Sequence, residues 1–254
     1  MCLIVFSWDN HPKYKLIMAA NRDEFYARPT AKADYWKDHP SILGGRDLKA
    51  LGTWMAISKS GRLATVTNFR DPANIREDAS SRGDLPTGFL LSKDTPEKYV
   101  QSVHAQAEDY NGFNLILGTE KQMLHYSNYE RKLNPVTPGI HGLSNAFLDT
   151  SWPKVDLAKQ KLKELMAGEF AHEDLIEMMQ DESIASDDIL PETGVSKELE
   201  SKLSAMCIRM EAYGTCCSTV ITIDRDHQVQ FTERSYPVGD RTGELVKYDF
   251  RIEP

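Results

Sequence analysis

Several signals that would name a chemistry at once are missing. No GxGxxG or GxxxxGK[ST] run occurs, which removes the two common nucleotide-loop signatures. The four cysteines, Cys2, Cys207, Cys216 and Cys217, have no CxxC or CxxCH spacing. Neither a zinc site nor covalent c-type haem attachment therefore has support. Seven histidines are scattered along the chain, with none paired at a metal-ligand spacing. No apolar stretch reaches the ~18 residues of a membrane span. The opening apolar run, Cys2 to Phe6, is too short for a signal peptide and has no basic leader. Basic residues are outnumbered, and a formal net charge of −8 argues against generic nucleic-acid binding. An anionic ligand in a local basic pocket stays compatible with that charge. Internal repeats and low-complexity tracts are absent as well. So few cysteines in a chain of this size suit a reducing compartment, and a cytoplasmic protein is expected.

What is present is enough for a large core. A chain of 254 residues with 41% hydrophobic content is expected to form one domain over residues 1–254. Cys2–Trp8 and Tyr14–Ala20 read as strands joined by the turn-rich Asp9-Asn10-His11-Pro12. Asn21-Arg22-Asp23-Glu24 follows at once and reads as a polar loop. Gly52–Ser58 and Leu63–Asn68 read as a hairpin turning at Gly61. Asp84–Leu91 and Glu97–Ala107 read as helices, and Gly112–Gly118 with Gln122–Ser127 as another strand pair. Ser151 and Pro153 open a helix to Met166, with Val155, Ala158, Leu162 and Leu165 on one face. Glu173–Met179 is a shorter helix, and residues 181–200 form an acidic, turn-prone excursion. Ala205–Arg209, Thr219–Asp224, Gln228–Arg234 and Val246–Arg251 read as closing strands. Hairpins at both ends around a helical centre indicate an α+β fold rather than a doubly wound parallel sheet.

A strand that starts at residue 2 is unusual, because chain ends normally fray. Cys2 has two readings. It is a small buried hydrophobe opening a core strand, or it is a nucleophile. Removal of Met1 would leave it with a thiol and an α-amino group, whose pKa near 8 lets it serve as base. Arg22 and Asp23 make chemical sense beside a thiol: the guanidinium favours thiolate or an anionic substrate, and the carboxylate meets an ammonium. They also read as a structural ion-pair loop. Asn68 and Asn145 each end an apolar run and are candidate oxyanion donors or simple Asx turns. Asn21, Glu24, Arg70 and Arg209 are candidate ligand contacts. Adjacent Cys216 and Cys217 should point to opposite faces of a strand, so no bridge is expected between them.

Met1-Cys2-Leu3-Ile4 together with Ala19-Ala20-Asn21-Arg22-Asp23-Glu24-Phe25-Tyr26-Ala27-Arg28-Pro29 closely resembles the signature of the NRDE family, the homologues of transport and Golgi organisation protein two. Gly52-Thr53-Trp54, Thr67-Asn68-Phe69, Asn111–Leu115, Gly142–Ala146 and Thr232–Ser235 extend the resemblance in order across the chain. The resemblance implies an N-terminal-nucleophile hydrolase-like fold, a four-layer αββα sandwich of antiparallel sheets. It maps Cys2 to the nucleophile, Arg22 and Asp23 to its partners, and Asn68 and Asn145 to the oxyanion site. It implies either a cysteine hydrolase or acyltransferase acting on an amide or thioester, or a carrier for an amphipathic anion. On the carrier side it points to haem trafficking or acyl-CoA and lipid homeostasis. No cofactor is required; haem enters as a transported ligand.

Overall fold

The first two strands form because their residues suit a covered sheet. Cys2–Trp8 (β1) is apolar except for Ser7, and every residue in it is buried. Tyr14–Phe25 (β2) is buried from Leu16 through Asp23. Near-continuous apolar, β-branched runs of this kind suit strands covered on both faces. In the computed structural model, which describes residues 2–237 and 242–253, the two pair antiparallel from Trp8↔Leu16 to Cys2↔Arg22.

The chain divides into two compact units, each assembled from two stretches of sequence: Met1–Ala27 with Pro138–Phe250, and Arg28–Thr137 with Arg251–Pro254. The first unit adds β10 (Gly139–Leu143), α3 (Pro153–Leu165), α4 (His172–Met178), α5 (Lys197–Leu203), β11 (Tyr213–Asp224), β12 (Gln228–Ser235) and β13 (Leu245–Arg251). Its six strands run in the order β10-β1-β2-β11-β12-β13. The second unit holds β3 (Thr30–Tyr35), β4 (Ile42–Asp47), β5 (Met55–Ser58), β6 (Leu63–Asn68), α1 (Asp84–Leu91), α2 (Pro96–Ala105), β7 (Phe113–Gly118), β8 (Met123–Ser127) and β9 (Lys132–Pro135). These seven strands pair in sequence order. The described pairings are antiparallel, as expected for an α+β chain of hairpins.

One core of the first unit lies between the sheet and its helices. Leu3, Val5, Ile17, Ala19 and Val220 meet Val155, Ala158 and Leu162 of α3 and Leu175 and Ile176 of α4. The helical stripe is the predicted one, at about 1.5–3 kcal/mol for each fully buried side chain. The helix begins at Pro153 with Trp152 as its cap. Gly142 lets α3 approach β10, since a Cβ there would meet Val155 Cγ1 at 2.6 Å. In the second unit Phe89, Val100, Phe113, Leu115 and Tyr126 form the corresponding core. Gly61, at φ +74, makes the predicted β5–β6 turn.

Four sequence expectations need correction. Asn21-Arg22-Asp23-Glu24 is strand, not loop, because β11 pairs with β2 along its whole length, from Asp224↔Tyr14 to Tyr213↔Phe25. Ala205–Arg209 is irregular, buried from Ala205 to Ile208 and exposed at Arg209, with a single bridge, Arg209↔Gly214. Its apolar character reflects burial without a strand partner. The Glu97–Ala107 helix ends at Ala105 and gives way to a 3-10 turn, Ala107–Asp109. The 181–200 excursion contains a 3-10 turn at Asp187–Ile189 and the start of α5, capped by Ser196.

Candidate active site

The site is built by strand register. Cys2 lies opposite Arg22 on the β1–β2 ladder, and Arg22 lies opposite Cys217 on the β2–β11 ladder. Cross-strand partners share a face, so Cys2, Arg22 and Cys217 form one row. Leu3 and Ala19, in rows of the other parity, pack against the helices. The thiol row therefore faces away from α3 and α4.

Asp23, the next residue, points the other way, toward the helix side. There Thr215 Oγ1 donates to Asp23 Oδ1 at 2.7 Å, and accepts from Ile208 N at 2.8 Å. A β-bulge makes this arrangement consistent. Thr215 pairs with Asp23 and Cys217 with Arg22, so Cys216 is the extra residue. Without it, Thr215 and Cys217 would sit on the same face and could not serve neighbours on opposite faces.

The electrostatics follow from burial. Cys2 is buried, and that burial pushes its thiol above the ordinary range; the Asp23 carboxylate adds to the rise, while Arg22 opposes it. Cys217 is pushed well up, by burial first and then by the Glu233 carboxylate. Burial raises Asp23, and the Lys154 charge and the Thr215 hydroxyl pull it back. Arg22 is 6% exposed, and its Nη2 lies 3.6 Å from Glu24 Oε2. Its Nη1 is buried with no hydrogen-bond partner among the described residues.

Asn145 joins the site through Ser144, which follows β10. Ser144 Oγ lies 3.0 Å from the Cys2 carbonyl oxygen and 3.1 Å from Asn145 Oδ1. Its single hydroxyl hydrogen serves one of these acceptors at a time. Asn21 has a different place. Its Nδ2 donates to Met179 O at 2.7 Å and Met206 O at 2.8 Å, and its Oδ1 accepts from Ser218. It ties the end of α4 and the irregular segment to the sheet. Glu24 leans on Arg22 and accepts from Phe25 N. Arg209 pairs with Glu182 at 3.2 Å and lies over the Tyr236 ring at 4.5 Å. Asn68 ends β6 opposite Phe113, and Arg70 follows it; both are half-buried residues of the second unit. All four cysteines are free thiols. Met1 lies outside the described residues. Among the described residues no cluster of three or more metal-ligating side chains occurs, and no helix is long and apolar enough to cross a membrane.

The family model for Transport and Golgi organisation 2 matches residues 1–237. The chain belongs to that family. It is 38% identical to the transport and Golgi organization protein 2 homolog of Bos taurus and 37% identical to that of Homo sapiens, covering the full length of both chains in each case. Among solved structures it is similar to the Caenorhabditis elegans ortholog of N-acylethanolamine-hydrolyzing acid amidase. That likeness has 13% identity, spans 87% of this chain and 92% of the other, and has a TM-score of 0.44.

Three residues of this Transport and Golgi organisation 2 chain escape sequence reasoning as site components: Ser144, Lys154 and Thr215. Thr215 lies in the small polar run Gly214–Thr219 within β11, but nothing local pairs it with Asp23. Lys154 does leave a trace. It falls in register with Ala158 and Leu162 on the buried stripe of α3, where a charge breaks the apolar pattern.

Proposed function

We propose that the Cys2 end of the six-stranded sheet is a thiol acyl-transfer centre acting on an amide or thioester. The observation that carries this reading is the cross-strand row that sets Cys2 beside a buried guanidinium with an unpartnered Nη1. Leaving such a donor unpaired costs on the order of 1–3 kcal/mol, and a substrate oxygen would relieve that cost.

The buried thiol is protonated at neutral pH, so attack needs a base at the sulfur. Release of Met1 supplies one, the Cys2 α-amine. As the S–C bond forms at the substrate carbonyl, the thiol proton passes to that amine. Collapse of the tetrahedral adduct breaks the C–N or C–S bond, and the ammonium returns the proton to the leaving group. Water then cleaves the acyl-thioester, releasing a carboxylic acid and restoring the thiol. Asp23 is the anionic partner of the ammonium, Arg22 meets an anionic substrate oxygen, and Asn145 donates to the oxyanion. Turnover of a panel of amides and thioesters by the chain lacking Met1 should vanish in Cys2→Ala. Turnover that survives this change would exclude Cys2 as the nucleophile.

A second reading is favoured by the raised thiol together with the same Arg22 nitrogen. Here the site binds an amphipathic anion without chemistry, in haem trafficking or acyl-CoA and lipid homeostasis. It expects a Soret shift on haem titration that survives Cys2→Ala and is lost in Arg22→Met. A flat titration removes the haem version.

A further inference from the structure

Glu24 lies two residues beyond Arg22 on β2 and so on the same face, while Asp23 between them points the other way. The neighbouring strands give Glu24 no cross-strand side chain. β1 begins at Cys2, opposite Arg22. On β11 the partner of Glu24 is Gly214, where a Cβ would collide with the Tyr26 hydroxyl and the Ile208 carbonyl. The Glu24 carboxylate is divided between two contacts. Its Oε1 accepts from Phe25 N at 2.9 Å. Its Oε2 lies 3.6 Å from Arg22 Nη2, longer than a hydrogen bond. The pairing is also one-sided, since Arg22 Nη1 is buried with no hydrogen-bond partner among the described residues. A guanidinium is met best by a carboxylate or phosphate that accepts two of its N–H groups at once. Glu24 cannot do this while Oε1 stays on Phe25. The Glu24 side chain is 27% exposed against 7% for Arg22, so it reaches water where Arg22 hardly does.

We infer that Glu24 is a displaceable internal anion on Arg22, and so the residue that sets which anionic substrates the centre admits. The inference rests on the reading that Arg22 meets an anion of the substrate or ligand, which the acyl-transfer and carrier readings share. An incoming carboxylate or phosphate takes Nη1 and Nη2 together, and the Glu24 carboxylate turns to water. The exchange is easy for Glu24, because a partly exposed ion pair without a hydrogen bond is weak. It favours Arg22, because it fills the orphan donor. An anion that offers a single oxygen only replaces Glu24, whereas one that offers two gains a contact. A neutral group gains neither. The centre therefore selects an acyl compound with a two-oxygen anionic group near the reacting carbonyl.

The test times alkylation of Cys2 in the full chain by iodoacetate, which carries a carboxylate, and by iodoacetamide, which is neutral and of similar size. The ratio of the two rates cancels the reactivity of the thiol itself. Cross-strand partners hold their Cβ atoms about 4.5–5.5 Å apart, so a carboxylate on a reagent at the Cys2 sulfur is within reach of Arg22. Glu24→Gln should raise the iodoacetate to iodoacetamide ratio by roughly three- to tenfold, the effect of removing one competing charge at a partly exposed site. Arg22→Met should lower the ratio, and adding Glu24→Gln to it should give no rise. A ratio unchanged in Glu24→Gln overturns the inference, and so does a rise that persists without Arg22. If Arg22→Met lowers the ratio while Glu24→Gln leaves it unchanged, Arg22 keeps its anion role and only the inference falls. If neither change moves it, the reading of Arg22 falls as well. A Cys2 that resists both reagents overturns the inference too, because no small anion then reaches Arg22. If Arg22→Met does not fold, Glu24→Ala should give the same rise as Glu24→Gln, and a rise confined to one of them overturns the inference.

Discussion

The two ends of the six-stranded sheet are built from the same strands and do opposite things. At one end Phe6, Met18, Ile221 and Phe231 line up across β1, β2, β11 and β12, all fully or almost fully buried. At the other end the same strands place Cys2, Arg22 and Cys217 in a row, with Asp23 and Thr215 on the reverse face. The first end needs only apolar contact. The second buries a guanidinium, a carboxylate and two thiols, which burial alone would not favour. Sequences that violate local consistency in this way tend to do so at functional positions. On the acyl-transfer reading, one end carries stability and the other is the proposed seat of chemistry.

That contrast is open to direct test. The largest effect belongs to the apolar end: Phe6→Ala should cost about 3–5 kcal/mol in urea unfolding. A loss below about 1 kcal/mol there would break the assignment of stability to that end.

The next effect is a pH dependence. His172, at the start of α4, bridges Thr222 and Thr232 at 2.9 and 2.8 Å. Burial holds its pKa down at about 4. Glu173 and Asp249 oppose that shift and Lys247 adds to it. The unfolded chain takes up the proton near 6.5, so it binds more protons than the folded one between these values. Stability is therefore full above pH 6.5 and falls as the pH drops toward 4, by about 3 kcal/mol in all. His172→Gln should flatten this slope in urea titrations run at a series of pH values.

A smaller effect sits between the two ends. Asn21→Ala strands the carbonyls of Met179 and Met206 and should cost about 1–3 kcal/mol. It should also raise hydrogen exchange around 204–209. Unchanged exchange would mean that the clasp is not what holds that segment.

The sequence is a good guide to one end and a poor one to the other, for physical reasons. Apolar, β-branched runs such as Cys2–Trp8 and Val220–Ile223 mark buried strand by composition alone. Asn21–Glu24 has loop composition, and only its place between β1 and β11 makes it strand. β3 offers a mostly half-buried TAKADY, β4 carries two glycines, β9 is four residues ending in proline, and β10 is glycine-rich. None of these shows the period-two apolar signal by which a strand is recognised. The candidate site was legible where its proposed members are sequence neighbours or belong to the quoted blocks, as with Cys2, Arg22, Asp23 and Asn145. Thr215 reaches it through a bulge, which no local pattern encodes, and Lys154 shows in the sequence only as a charge on the apolar stripe of α3.

The most direct measurement compares thiol labelling of Cys2 and Cys217 at neutral pH in the chain lacking Met1. Both are buried and both are raised by that burial. The account predicts that Cys2, with its own amine as base, labels at least about tenfold faster than Cys217. Equal, slow labelling of the two would contradict it and leave Cys2 as core.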